Sequence, residues 1–286
     1  GHDLGHTPFG HLGERIVEKI LHEEDPARPP FHHELFSLRV VDRLTNYGRG
    51  LNLSYAVRDG IATHCGERFE QRIKPDFTVK LLAELTGMDD YPATWEGCVV
   101  RMADKIAYLG RDLEDALQLK IIKREQIPVE PARVLGVANS DIINALVGDL
   151  IAESLRTGEI GFSDDIFQAI LAMKQFNYRT IYEGPALTGY HTYFERILRT
   201  LWAYLRDLYT RYGDDIPRYG ARTTGSQPIR RLHRQDERLY EGVDKGWGNL
   251  VLDYVAGMTD DYALECVQEI MIPRKFEYRF DEEALR

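Results

Sequence analysis

Three cysteines in 286 residues, Cys65, Cys98 and Cys266, are too few and too scattered for a disulfide framework. None forms a C-x-x-C pair, so a zinc ribbon is excluded, and the usage fits a reducing, cytoplasmic setting. No apolar run approaches the roughly 20 residues that span a bilayer, and no signal peptide is visible, so no membrane role is expected. Positive charge is also short. The 36 Lys and Arg stand against 46 Asp and Glu, a formal net charge of −10. A protein that coats duplex DNA has the opposite balance, although an acidic chain can bind nucleotides by focusing positive charge inside a cleft. Two local basic clusters, Arg222 with Arg230, Arg231 and Arg234, and Lys120 with Lys123 and Arg124, read as solvated surface. P-loops, Gly-rich dinucleotide motifs, G-x-S-x-G elbows, repeats and heptads are missing too.

What is present is helix. Leu12–Leu21 has apolar residues at helical spacing and stops at a proline-rich loop, Pro26 to Pro30. Glu34–Leu44 and Tyr55–Thr63 read as the next helices. Trp95–Lys120 is a long one, with Val99, Met102, Ile106, Leu109, Leu113 and Leu117 forming an apolar stripe. Ser140–Gly158, Ser163–Tyr182, Tyr193–Tyr212 and Gly248–Ile272 complete an all-α reading, with Asp141 and Asp164 placed to complement helix dipoles. Tyr212–Gln227 is turn-rich and reads as a linker or lid. Glu277–Phe280 is the best candidate for an extended piece.

The chemistry concentrates at the beginning. Six of the nine histidines fall within residues 1–33. His2-Asp3 offers a divalent metal one nitrogen and one anionic oxygen from adjacent positions, and His6 and His11 follow, with Gly5, Pro8 and Phe9 setting how the imidazoles converge. Imidazole with carboxylate suits a metal that holds phosphate oxygens and activates water. Lys105, Tyr108 and Asp112 lie on roughly one face of the long helix. Lys174, Tyr178 and Tyr182 form a row at i, i+4, i+8 that either lines a pocket or packs in the core.

The motif H-D-x-G-H-x-P-F-x-H is followed in order by Phe31-His32-His33-Glu34 with Ser37–Val41, by Ala103-Asp104-Lys105-Ile106-Ala107-Tyr108, and by Asp253-Tyr254-Val255-Ala256-Gly257-Met258-Thr259-Asp260. This series resembles the HD-domain phosphohydrolases and, within them, the deoxynucleoside triphosphate triphosphohydrolases (dGTPase-like enzymes). The likeness spans most of the chain and loosens over residues 120–245. It implies an HD-domain helical bundle with additional C-terminal helices. Residues 1–125 would form the catalytic core, and residues 126–286 a helical region that completes the nucleotide pocket and the oligomer contacts. The family's first metal histidine lies upstream of the His-Asp pair, so the resemblance also implies a longer protein of which this is the downstream part.

The resemblance further implies that His2, Asp3 and Asp104 ligate a divalent ion, Mn²⁺ or Mg²⁺ first, with Fe²⁺, Co²⁺ and Zn²⁺ also compatible with such ligands. His11 and His33 would transfer protons, Glu34 would orient an imidazole, and His6 and Lys105 would hold phosphate. Tyr108 and Asp112 would recognise the deoxyribose. His64 lies in a family-like segment, Arg58 to His64, and receives no role. Asp253–Asp260 reads as a structural element behind the cleft, with Asp260 a supporting partner. The implied substrate is a deoxynucleoside triphosphate, cut to deoxynucleoside and inorganic triphosphate. A homo-oligomer is implied, with a nucleotide effector at subunit contacts. Two alternatives stay open: another HD-type nucleotide phosphatase, and a non-catalytic nucleotide-binding regulator.

Overall fold

A computed structural model describes residues 1–65, 69–87, 89–212 and 247–272 of the chain. The basic cluster from Arg222 to Arg234, the extended piece at 277–280 and nearly all of the turn-rich stretch after Tyr212 lie outside the described residues. The described chain is helical: α1 Gly10–Glu24, α2 His33–Arg39, α3 Tyr55–Ala62, α4 Trp95–Gln118, α5 Val129–Leu135, α6 Asn139–Thr157, α7 Asp164–Asn177, α8 Pro185–Tyr212, α9 Trp247–Ala256 and α10 Asp260–Met271. Five-residue π-helical turns, Val40–Leu44 and Tyr178–Tyr182, extend α2 and α7. One short antiparallel ladder, β1 Arg72–Ile73 with β2 Ile160–Gly161, pairs Arg72 with Gly161.

Local chemistry sets the helix ends. Thr94 caps α4 by accepting from the Gly97 N–H at 3.0 Å, and Glu96 in the first turn complements the dipole. Gly158, at φ 75°, stops α6 in the left-handed region. Two expectations need correction. The segment 248–272 is two helices, because Thr259 caps a new one by accepting from the Tyr262 N–H. Gly257 therefore sits in the break, not in a helix interior; a Cβ there would lie 2.9 Å from the Asp253 carbonyl oxygen. Helix α5 escaped the pattern reading because it has only seven residues and carries Pro131, which a first helical turn tolerates.

Two large apolar clusters hold these elements. In one, Ile16, Val17 and Ile20 of α1 meet Leu198, Leu201 and Trp202 of α8 and Val251 and Val255 of α9. In the other, Met102, Ile106, Leu109 and Leu113 of α4 pack on Ile142 and Leu146 of α6 and Ile170 and Met173 of α7. Both draw on residues from either side of residue 125. A smaller cluster joins Leu38 and Val41 to Ile61 and Ala62 of α3. Among the described residues no single helix is long and apolar enough to cross a membrane, although α5 and α6, bent by 67°, pass together on length and composition alone.

Candidate functional site

The loop before α1 is shaped by contacts that few other sequences would permit. Gly5 lies so close to α2 that a Cβ would stand 2.2 Å from the His33 carbonyl oxygen and the Ser37 nitrogen. Ser37 clamps the loop from both sides, accepting from the Gly5 N–H at 2.7 Å and donating to the His2 carbonyl at 2.5 Å. Phe9 adopts φ 69°, unusual for a non-glycine residue. Two contacts hold it there: its N–H donates to Asp260 Oδ1 at 2.8 Å, and its ring stacks on Phe194 at 4.1 Å. Asp260 thus supports the histidine loop across 251 positions of sequence. Asp253 grips α2 through two 2.6 Å hydrogen bonds from Arg39.

His2, Asp3 and Asp104 converge. His2 Nε2 lies 2.9 Å from Asp3 Oδ2 and 3.6 Å from Asp104 Oδ1, and one ligand atom from each residue falls within 4.8 Å of the other two. Asp104 is presented by α4 and buried; burial, with the Asp3 charge beside it, raises its carboxyl pKa, against a hydrogen bond from Tyr108. Asp3 is pulled the other way, to about 2, by its hydrogen bond with His6 and by the charge of His2.

The remaining imidazoles form a second group. His6 Nδ1 lies 3.2 Å from Asp3 Oδ1, and its ring stacks on His33 at 3.9 Å and meets His11 edge-on at 5.0 Å. Glu14 ties this group together: its Oε2 is 3.3 Å from His11 Nδ1, both of its oxygens are 3.2 Å from His33 Nδ1, and Oε1 accepts from the His33 N–H at 2.9 Å. Burial opposes ionisation of Glu14, but the hydrogen bonds from His11 and His33 outweigh it and hold its carboxyl far below the usual range. Burial likewise opposes charge on His33, and Glu14 and Glu34 overcome it, so the imidazole pKa is raised. Glu34 Oε2 approaches His33 Nδ1 only to 3.4 Å, without a hydrogen bond. The carboxylate in contact with both His11 and His33 is Glu14. Its signal in the sequence is its place three residues after His11, one turn along the same helix face.

The Lys105 side chain is nearly buried. Its Nζ pairs with Glu70, which also accepts from Arg101 Nη2 at 2.6 Å, and burial lowers the Lys105 pKa against that pairing. The Phe69 ring faces two ammonium groups, Lys105 at 4.9 Å and Lys174 at 4.3 Å. Glu70 was missed because only folding brings it 35 positions to Lys105. Tyr108 is hydrogen-bonded to Asp104, and burial and that carboxylate raise its hydroxyl pKa. The Tyr182 hydroxyl donates to Asp112, joining α4 to the π-helical turn after α7. Lys174, Tyr178 and Tyr182 are all exposed, so the row does not pack in the core. His64 enters the same neighbourhood, edge-on to His2 at 4.9 Å and to His33 at 5.4 Å. An open groove between α1 and α8 takes none of its lining from these residues, and Arg199 and Arg206 there pair with Glu23 and Glu24.

Residues 160–269 match the family described as Phosphohydrolase-associated domain. A deoxyguanosinetriphosphate triphosphohydrolase-like protein of Caldanaerobacter subterraneus subsp. tengcongensis is 33% identical over 273 residues, which is 96% of this chain and 66% of the relative. One of Desulfatibacillum aliphaticivorans is 32% identical over 276 residues, 96% of this chain and 69% of its own. A third, of Clostridium perfringens, is 32% identical over 279 residues, covering 96% and 68%. The chain spans about two thirds of the length of these curated relatives.

Proposed function

Because the chain belongs to the deoxyguanosinetriphosphate triphosphohydrolase-like family of HD-domain phosphohydrolases, we propose that it hydrolyses deoxynucleoside triphosphates to deoxynucleoside and inorganic triphosphate. The observation that carries this reading is the junction of two groups at one loop. His2, Asp3 and Asp104 face one point, and His6, His11, Glu14 and His33 lie directly beside it.

The donor set fits a divalent cation. Two carboxylates and one imidazole nitrogen crowd together, one carboxyl being buried with a raised pKa, and a cation removes the repulsion between them. His2 Nε2, Asp3 and Asp104 would hold it. A divalent ion there supplies a Lewis acid for a phosphoryl oxygen and lowers the pKa of water.

The rest of the work falls to the chain's own side chains. Water adds to the α-phosphorus, the bond to the 5′ oxygen breaks, and the departing oxygen needs a proton. His11 is the donor. Its side chain is 57% exposed, whereas that of His33 is 3% exposed and out of reach of a substrate. Glu14 accepts the His11 Nδ1–H and so turns Nε2 outward, while His33 fixes Glu14 from behind. His6 offers an imidazole to a non-bridging phosphate oxygen. Lys105 sits one residue after Asp104 and adds positive charge to the triphosphate once its hold on Glu70 is shared. The Tyr108 ring occupies the space beside C2′, and Asp112 accepts from the 3′-hydroxyl.

The test is product analysis on the full-length protein with dGTP and Mn²⁺, by ion chromatography. Inorganic triphosphate in equal amount to deoxyguanosine supports the reading. Pyrophosphate or monophosphate as the first product, or no turnover, refutes it.

A further inference from the structure

We propose that α6 docks on α6 of a second copy of this chain, antiparallel about a twofold axis that passes between Asp149 and Leu150. The proposal uses none of the residues of the candidate site and is independent of the reaction proposed above.

Helix α6 buries one face and leaves the opposite one bare. Ile142, Leu146 and Glu153 are buried, the first two in the apolar cluster with α4. On the far side Asn144, Val147, Gly148, Ile151, Ala152 and Leu155 are all exposed. Their spacing of three and four residues sets them on one stripe about 17 Å long. Val147, Ile151 and Leu155 are 39%, 57% and 84% exposed. Single apolar residues on a surface are ordinary, but three in one helical row with small residues beside them form ridges and a groove for another helix.

The stripe is complementary to itself. With the axis between Asp149 and Leu150, Asn144 of one copy stands opposite Leu155 of the other, Val147 opposite Ala152, and Gly148 opposite Ile151. The two β-branched side chains thus each meet a small residue. Gly148 provides the hole for Ile151, since a Cβ added to it would meet nothing within 4 Å. Charge selects the direction. Asp141 lies in the first turn and Arg156 in the last, both exposed. Antiparallel pairing brings each within a turn of the other and opposes the two helix dipoles, whereas parallel pairing sets like charge against like. Arg156 also holds Glu153 of its own chain, at 2.6 Å. Because one patch meets its own copy, the contact closes at two chains and does not propagate into a filament.

A lipid surface is the other cover for an apolar helix face. Helices that lie on anionic bilayers are rich in Lys and Arg. Helix α6 carries Asp141, Asp149 and Glu153 against one cation, Arg156, which favours a second copy.

The test is sedimentation velocity of the full-length protein, joined to cysteine cross-linking. Ile151→Asp places a carboxylate at the centre of the contact, so the dissociation constant of the pair should rise about a hundredfold or more. Its thermal melt at low protein concentration should match the wild type, because Ile151 is exposed within the chain. Cross-linking reads the register. Val147 and its own counterpart are about 7.5 Å apart along the axis, while Val147 and Ala152 of the two copies are level. A mixture of Val147→Cys and Ala152→Cys proteins should therefore give disulfide-linked dimers on mild oxidation, and each variant by itself, like the wild type with its three cysteines, should not. A monomeric wild type, an assembly unmoved by Ile151→Asp, no link in the mixture, or linking of Val147→Cys by itself would each overturn the proposal. Sedimentation with phosphatidylserine vesicles that Ile151→Asp abolishes would assign the stripe to a membrane and overturn it as well.

Discussion

Replacing Glu14 with Gln separates the two jobs of the most connected carboxylate in the site. The side chain keeps its shape but loses its charge, and its amide now presents N–H to an imidazole that already presents N–H. The lost contacts are unequal. His11 is largely exposed, so its 3.3 Å contact is screened and contributes little to stability. The contacts to buried His33, at 3.2 Å and 2.9 Å, are charge-assisted and worth about 1.5–3 kcal/mol. Their pH window follows from the two shifts. The Glu14 pKa is lowered on folding, so its contribution is present above the unfolded value of 4.5 and lost as pH falls below it. The His33 pKa is raised, so its contribution is full below 6.5 and lost as pH rises through the folded value. The wild type should therefore exceed Glu14→Gln most between these two values, in urea melts of metal-stripped protein. The gap should close on either side with a slope of at most about 1.4 kcal/mol per pH unit per proton. In dGTP hydrolysis the same variant should lose about 10²–10³ in kcat with little change in KM, because Glu14 acts through His11 and touches no substrate. A stability gap independent of pH, or a loss confined to KM, would refute this account of Glu14.

Tyr108→Ala should raise the ratio of GTP to dGTP kcat/KM by about a hundredfold, since the ring that leaves no room for a 2′-hydroxyl is gone; an unchanged ratio means that the sugar is read elsewhere. Gly5→Ala forces a Cβ to within 2.2 Å of two α2 backbone atoms, so it should cost about 1–3 kcal/mol and weaken Mn²⁺ binding by displacing His2 and Asp3. A wild-type melt and metal affinity in that variant would show that Ser37 and α2 do not set the loop.

The parts of this architecture visible from sequence were those encoded locally. The α4 stripe from Met102 to Leu113 repeats at helical spacing because it faces one core, and it appears as a single 24-residue helix. The His-Asp motif announced its own convergence, since its glycine and proline spacing serves one loop. Contacts at long range left no such trace. Glu70 meets Lys105 through a turn of chain that no periodicity marks, and its burial follows only from the packing of α4. His64 stands out in the fold because of two nitrogens, one satisfied by Ile61 and one not, a distinction invisible in the letters Thr63-His64-Cys65. The break after α9 was misread for the opposite reason: hydrophobic periodicity continues across Gly257, and only the Thr259 cap reveals two helices.

Charge reconciles the acidic chain with a polyanionic substrate. Asp3, Asp104 and Glu14 stand at or beside the proposed reaction point, a poor reception for a triphosphate. Among the described residues, Lys105 and Arg101 are engaged with Glu70, and Lys174 lies on the face of Phe69. Two of the imidazoles, His33 and His64, are buried. A divalent ion held by His2, Asp3 and Asp104 adds, on the proposed reading, to the attraction of Lys105 and His6, turning a repulsive carboxylate pair into a phosphate receptor. On the proposed reading the acidity is functional. Carboxylates that repel the bare nucleotide would hold the cation and the cation would bind it, so metal-stripped protein should bind dGTP more weakly than Mn²⁺-loaded protein, and equal binding in a filter assay would refute this account.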